Sequence, residues 1–338
     1  MSIALERCVL AMLRRFSLCM LVGIMLMAFT MADSSIWDID SFDYTLTEEG
    51  VVITKWREES EVEIPPILYL PANLGGQPVV GIAKDALSTT WLEPYGSTFE
   101  IVIPEGVLYL EERAFEDCGY VTTIYLPSSL SDIDENCFAN VSAEIVFPNG
   151  NSNFLIKNGF LIDLRSATLL YAAPSSCVHS LPCVERLGSR SIDNWLCEKT
   201  EVCLPATLKS IGRLVFCDLP DLSRITFADS IEQIDSGAFL GTELREIVLP
   251  SELIEIPAYC FSDCSITSII IPDGVTYIGE YAIYRNWETL ATVTLPATVQ
   301  FVGYRAFPEE TQVIALSPDT HFETTEEYKL RCPDGELW

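Results

Sequence analysis

The chain has 338 residues, and 49 of them are Asp or Glu against 20 Lys or Arg, which gives a formal net charge of −29. A chain this acidic repels phosphate backbones, so nucleic-acid binding is excluded as its function. Only two histidines are present, which leaves little acid–base chemistry near neutral pH.

The first 32 residues have the pattern of a secretory signal peptide. Three arginines precede an uncharged apolar run at 16–29, and small residues stand at positions 30 and 32. The alternative is an uncleaved membrane anchor, which the run disfavours because a spanning helix needs ~20 apolar residues. We therefore expect a mature chain that begins near Asp33, is secreted or exposed at the cell surface, and has no membrane span.

Residues 33–80 follow a pattern of their own and are expected to form a β-rich N-terminal cap. Two segments rich in β-branched and aromatic residues, 41–56 and 62–80, are joined by a charged stretch. The open end of a stacked coil exposes apolar edges and unpaired strand groups, so an atypical element is expected to cover it.

From residue 81 to 316 one unit recurs, and its clearest copy is LREIVLPSELIEIPAYCFSDC at 244–264. Apolar residues stand three and one before a proline anchor and three and six after it, followed by a small residue and a phenylalanine. The anchors are 21 to 24 residues apart except for one interval of 34, and they are Pro104, Pro127, Pro148, Pro182, Pro205, Ala228, Pro250, Pro272 and Pro296. The alternation before the anchor predicts a short strand with one buried face.

Such a unit cannot bury its apolar side chains alone, so turns must stack around a continuous core. The frame I-x-[IL]-P-x-x-[VL]-x-x-I-x-x-x-A-F-x-x-C resembles the BspA-like branch of leucine-rich repeat proteins. The segment 151–174 is similar to the insert that interrupts these arrays, which explains the long interval. The resemblance implies a β-rich solenoid, a leucine-rich repeat array with one short parallel strand per 21–24-residue turn and with terminal caps.

The expected organisation is one continuous domain with no linker. It consists of a signal peptide at 1–32, a cap at 33–80, a solenoid at 81–316 with an insertion at 149–175, and a C-terminal cap at 317–338. In the last region we predict a final strand at 313–316 and a short helical turn at 324–330. The terminal CPDGELW has neither a hydrophobic tail nor a basic stop, so no attachment is expected there.

Catalytic motifs are missing from the sequence. There is no G-x-S-x-G, no phosphate-binding glycine loop and no H-E-x-x-H. His179 stands at a strand position that is buried in other copies, and His321 lies in the C-terminal cap, so both are expected to be structural. We predict no catalytic residue, no cofactor and no metal.

Ten cysteines follow the signal pattern, and a secreted chain favours disulfides. Five of them, Cys118, Cys137, Cys217, Cys260 and Cys264, occupy repeat positions that point into the core, where a thiol packs as a small apolar residue. We expect mostly reduced, buried thiols, with Cys177/Cys183 and Cys197/Cys203 as the pairs most suited to bridging. No C-x-x-C occurs, which argues against zinc.

The outward residues of the strands, two and four before each anchor, should line up across the sheet as an apolar row beside a largely acidic one. We predict a ligand-binding face made of Glu100, Val102, Thr123, Tyr125, Glu144, Val146, Glu201, Arg224, Thr226, Glu246, Val248 and Ile270. The alternative is that these acids only solvate the sheet and keep neighbouring molecules apart.

Two functions fit this pattern. The first is a non-enzymatic extracellular or cell-surface module that binds protein or glycan on a host or neighbouring cell, as the resemblance to BspA-like proteins implies for adhesion. The second is a secreted enzyme or inhibitor with its site in the insertion at 149–175 or in the N-terminal cap. The first is favoured because no nucleophile, base and oxyanion donors converge in the sequence.

Overall fold

The structure is a computed structural model that describes residues 41–57, 65–88, 98–176, 181–192, 200–286, 290–323 and 329–331. The predicted signal peptide lies outside these residues. Within them the regular elements are short strands joined by turns. In chain order the strands are β1 (Phe42–Leu46), β2 (Val51–Trp56), β3 (Ile67–Tyr69), β4 (Asn73–Leu74), β5 (Gln77–Ile82), β6 (Phe99–Val102), β7 (Tyr109–Leu110), β8 (Val121–Tyr125), β9 (Asp132–Ile133), β10 (Glu144–Val146), β11 (Phe154–Lys157), β12 (Phe160–Asp163), β13 (Thr168–Ala172), β14 (Arg186–Leu187), β15 (Glu201–Cys203), β16 (Ser210–Ile211), β17 (Arg224–Thr226), β18 (Gln233–Ile234), β19 (Glu246–Val248), β20 (Glu255–Ile256), β21 (Ser268–Ile270), β22 (Tyr277–Ile278), β23 (Thr292–Leu295), β24 (Phe301–Val302), β25 (Gln312–Ala315), β26 (His321–Phe322) and β27 (Lys329–Arg331).

Strands of successive turns stack in parallel and build a solenoid, which confirms the predicted fold class. The first strand row, just before the anchors, consists of β3, β6, β8, β10, β15, β17, β19, β21, β23, β25 and β27. The second strand row, just after them, consists of β5, β7, β9, β14, β16, β18, β20, β22, β24 and β26. The sequence pattern predicted only one strand per turn. It missed the second because that strand is mostly two residues long, too short to show an alternation.

The apolar positions of the repeat face the interior, as predicted. In the turn at 244–264 four residues in or beside the two strands are buried: Ile247, Leu249, Leu253 and Ile256. Among the residues one and three before the anchors, Phe147 and Phe227 are only partly buried. Burial of these side chains is the main favourable term of the fold, at roughly 25 cal/mol per Å² of apolar surface.

A third side of the coil is built around the phenylalanine of each turn. The rings of Phe216, Phe239 and Phe261 stack with centroids 5.3 Å apart. Residues in the left-handed conformation flank this position, such as Tyr259 (φ 58°) and Asp263 (φ 55°). The Phe261 N–H donates to a carbonyl of the next turn over 2.7 Å. Backbone hydrogen bonds therefore join successive turns here too, although the chain is not extended.

The insertion forms an antiparallel sheet, β11–β12–β13, whose last strand joins β14 in parallel. Successive side chains of a strand point to opposite faces. Accordingly Leu161 and Tyr171 pack in a core cluster with the turns before the insertion, whereas Phe160 and Leu169 pack with the turns after it. The core is thus divided by this insertion sheet, where the sequence predicted one continuous core.

Polar contacts join the insertion sheet to the turns before it, and one ion pair spans the insertion. The buried Tyr171 hydroxyl lies 3.0 Å and 2.9 Å from the carbonyl oxygens of Val141 and Ala143. Across the insertion, the Arg186 guanidinium donates to the Glu135 carboxylate over 2.8 Å. We call residues 41–148 the N-terminal segment and residues 181–323 the C-terminal segment, one on each side of this sheet.

The C-terminal end differs from its prediction. The strand β25 is followed by β26, which pairs with β24, and by β27, which pairs with β25. Residues 329 and 330 are therefore extended and not part of a helical turn, and 324–328 lie outside the described residues. The prediction failed because these strands gain their hydrogen bonds from the preceding turn, a tertiary contact that local sequence does not encode.

Candidate binding face

The first strand row aligns its outward side chains as the repeat frame predicted. Because the parallel strands pair in register, the residues two and four before the anchors form two lines in the N-terminal segment: Val102–Tyr125–Val146 and Glu100–Thr123–Glu144. The strand β3 adds Tyr69 and Ile67 to the ends of these lines. Sequence reasoning missed these two residues, although Leu68–Tyr69–Leu70–Pro71 fits the frame before an anchor.

The same lines continue in the C-terminal segment with a different exposure. Glu201 pairs with Arg224, and Val248 pairs with Ile270, each in register. Val248 and Ile270 are 65% and 59% exposed, whereas the predicted face residues of the N-terminal segment are all half-buried. The two halves of the predicted face thus offer unequal surfaces to a partner.

The predicted acidic row is heterogeneous in its contacts. The Glu144 carboxylate accepts hydrogen bonds from the Ser175 N–H (3.1 Å) and hydroxyl (2.8 Å) at the end of the insertion. Glu201 lies 3.7 Å from the guanidinium of Arg224. Glu246 is exposed on the strand next to Ser268. Two of these three glutamates therefore already have polar partners within the chain.

Two of the four buried cysteines, Cys118 and Cys264, act as small hydrogen-bond donors. The Cys264 thiol lies 3.2 Å from the carbonyl oxygen of Phe239 in the previous turn, and the Cys118 thiol lies 3.2 Å from that of Leu87. Burial raises the pKa of Cys264 to about 11, so the proton that makes this bond is retained at neutral pH. The position requires a donor for a buried carbonyl, which explains a thiol there without any disulfide.

The two cysteine pairs named as most suited to bridging, Cys177/Cys183 and Cys197/Cys203, lie partly outside the described residues. Cys183 and Cys203 are exposed and carry free thiols, while their expected partners, Cys177 and Cys197, lie outside the described residues. Within the part of the chain that the structure describes, no group of three His, Cys, Asp or Glu side chains is placed to hold a metal ion.

Of the two histidines, only His321 is described; His179 is not. His321 is exposed in β26, and its ring lies 5.5 Å from that of Phe301. The chain just before His321 contributes Asp319, the single carboxylate among the lining residues, to a surface depression of about 310 Å³.

The described residues include no helix of the length and apolarity that a membrane span requires.

Comparison with known proteins gives one family. The family described as "BspA type Leucine rich repeat region" matches six copies of its repeat, over residues 95–161 and 188–324. The unmatched residues between these ranges include half of β12 and all of β13 and β14. No curated protein is significantly similar in sequence to the chain.

Several solved structures are similar to this chain in fold. The pneumococcal vaccine antigen PcpA is 15% identical, with a TM-score of 0.39 over 86% of this chain and 93% of its own. A leucine-rich repeat protein from Bacteroides ovatus is 18% identical, with a TM-score of 0.37 over 85% and 90%. A leucine rich cell surface protein from Faecalibacterium prausnitzii is 14% identical, with a TM-score of 0.33 over 88% and 97%.

Proposed function

This chain belongs to the BspA-type leucine-rich repeat family, and we propose that it is a recognition module, secreted or held at the cell surface, that binds a protein or glycan through its first strand row. The observation that carries the proposal is the adjacent pair Val248 and Ile270, both more than half exposed. Aliphatic side chains that adjoin one another on an exposed surface are typical of interaction sites.

The surroundings of the pair match the anatomy of a protein-binding patch. Glu246 and Ser268 lie beside it on the same two strands, and Thr294 occupies the corresponding position on β23. An apolar centre within a polar rim excludes water from the contact while the rim sets the partner's orientation. This arrangement favours a protein partner over a glycan at this face, and the acidic glutamates favour a basic one.

Export is part of the proposal. The basic start, the apolar run at 16–29 and the small residues before Asp33 have no use in a solenoid core, and they are the pattern that secretion requires. A partner on a host or neighbouring cell is reachable only for an exported chain.

The alternative, an enzyme or inhibitor site in the insertion or in the N-terminal cap, is less well supported, and the contacts of the insertion argue against a site there. The apolar side chains of β12 and β13 are used to pack against both core clusters. The polar residues of the insertion have structural partners as well, because Ser175 bonds Glu144 and Arg165 pairs with Asp163 over 3.2 Å. These contacts give the insertion a structural role.

The test uses the full chain with Val248→Ser and Ile270→Ser together. Partners are identified with a pull-down of surface proteins and a glycan array, and the affinity is then measured by titration. We expect affinity to fall about tenfold or more, because the apolar centre of a contact carries most of its binding energy. The matched control changes Leu155 and Leu164, two exposed leucines of the insertion, to serine. Equal binding by both double variants would show that the binding site does not lie on the first strand row.

A further inference from the structure

The second strand row carries an aromatic ladder in its last turns. Tyr277 stacks on Phe301 with ring centroids 5.2 Å apart and ring planes 4° apart, and Phe301 contacts His321 at 5.5 Å. The strand register places the three side chains on one line. The four preceding turns have polar residues at the same position, namely Arg186, Ser210, Gln233 and Glu255. The ladder is therefore a local feature and not a consequence of the repeat.

A depression of about 310 Å³ lies beside the residues that precede two members of this ladder, and none of the three rings is among its lining residues. Its polar lining comes from three successive turns and consists of Thr276, Thr298, Gln300, Ser317 and Asp319. Thr276 and Gln300, which line the depression, immediately precede Tyr277 and Phe301 in the chain, so the lining and the ladder are one residue apart on two successive turns. The volume is at the lower end of the range for pockets that bind small ligands, about 300–1,000 Å³.

The lining offers more acceptors than donors. The Thr298 and Thr276 hydroxyls donate to the carbonyl oxygens of Val275 (2.9 Å) and Ile254 (3.3 Å), which leaves their own oxygens as acceptors. The side chains of Gln300 and Asp319 are exposed and make no hydrogen bond to the described residues. A ligand with many hydroxyl donors would satisfy the two threonine oxygens and the Asp319 carboxylate, while the Gln300 amide both donates and accepts.

These features together define a ligand with two kinds of surface. A pyranose ring has C–H groups on its faces, which pack on aromatic side chains, and hydroxyls around its edge, which bond carboxylates and amides. The carboxylate of Asp319 and the net charge of −29 disfavour an anionic ligand. We propose that the depression and the ladder form a binding site for a neutral saccharide, separate from the first strand row.

The site predicts a specific pattern in saturation-transfer difference NMR. The full chain is mixed with neutral oligosaccharides of glucose, galactose, mannose and N-acetylglucosamine at millimolar concentration. We expect transfer to the ring C–H protons of at least one of these sugars, and a rise in Kd of about tenfold or more in the Tyr277→Ala/Phe301→Ala variant. Asp319→Asn is expected to weaken binding as well, because a neutral amide is a poorer acceptor for sugar hydroxyls.

Matched controls exist on the same or the preceding turn. Tyr259 is 40% exposed, as is Tyr277, but lies on the third side of the coil, so Tyr259→Ala should leave the Kd unchanged. Asp273→Asn removes the same charge outside the depression and should also have no effect. Gln300→Ala changes an exposed side chain only, and it provides the test should the aromatic double variant fail to fold.

Two results would overturn the proposal. One is the absence of transfer to every sugar of the panel, and the other is an equal Kd for the ladder variant and Tyr259→Ala. The inference goes beyond the proposed function and can fail independently of it. The Val248→Ser/Ile270→Ser variant should retain saccharide binding, and the ladder variant should retain the partner of the first strand row.

Discussion

The two segments on either side of the insertion sheet share one repeat frame but present different faces. In the N-terminal segment Val102, Tyr125 and Val146 are half-buried, and Glu144 is bonded to the insertion. In the C-terminal segment the equivalent Val248 and Ile270 are exposed. Identical positions in the frame therefore do not guarantee identical environments: Glu144, for example, is bonded by Ser175 of the insertion, which lies outside the frame.

The largest effect is expected from the core of one segment. Phe239 is fully buried and stacks between Phe216 and Phe261, so Phe239→Ala should cost ~3–5 kcal/mol of unfolding free energy in chemical denaturation. Since the insertion sheet separates the two core clusters, hydrogen exchange should accelerate mainly in the C-terminal segment.

The matched variant is Phe115→Ala, which empties a buried site in the other cluster, where Phe115 stacks on Phe138 at 5.6 Å. Exchange should then accelerate mainly in the N-terminal segment. Equal acceleration in both segments for both variants would show that the clusters unfold as one unit and that the insertion sheet does not divide them energetically.

An intermediate effect is expected where the insertion joins the N-terminal segment. Tyr171→Phe removes the hydroxyl that hydrogen-bonds to the carbonyl oxygens of Val141 and Ala143. A buried polar group left without a partner lowers the free energy of unfolding by ~1–3 kcal/mol. Thermal unfolding should report this loss. The control Tyr259→Phe removes a hydroxyl from an exposed ring and should change stability by less than ~0.5 kcal/mol. Equal losses for the two variants would contradict the assigned role of Tyr171.

The smallest effect on folding is expected from the acidic row, and here the two segments can be compared pairwise. Changing Glu201 and Glu246 to glutamine should weaken binding of a basic partner and reduce its salt dependence, because these side chains lie on the exposed half of the face. Changing Glu100 and Glu144 should affect binding less. Each exposed substitution should alter unfolding free energy by less than ~0.5 kcal/mol.

A control that removes twice the charge of either glutamate pair changes four acids away from the first strand row, Glu111, Glu112, Asp134 and Glu280, to their amides. Binding should then remain close to that of the unchanged chain. If this control weakens association as much as the glutamate pair on the face does, the effect comes from net charge, and the acidic row serves solubility only.

The sequence by itself determined the repeat, its core and its family. Apolar residues at constant distances from Pro250 and the other anchors can be satisfied only by stacked turns, so Ile247, Leu249, Leu253 and Ile256 were predicted to be buried and are. The outward lines of Val248 and Ile270 followed from the same periodicity, because parallel strands of equal spacing pair in register.

Only the tertiary structure decided what each turn contacts. The second strand row, the split core and the strand β27 depend on hydrogen bonds and packing between residues that are far apart in the chain. The ladder from Tyr277 to His321 could not be predicted from the sequence for the same reason. Its members are 24 and 20 residues apart, and their rings come into contact only when the turns stack. Periodicity specifies which side chains point inward, whereas exposure and partners depend on the elements that fold against them.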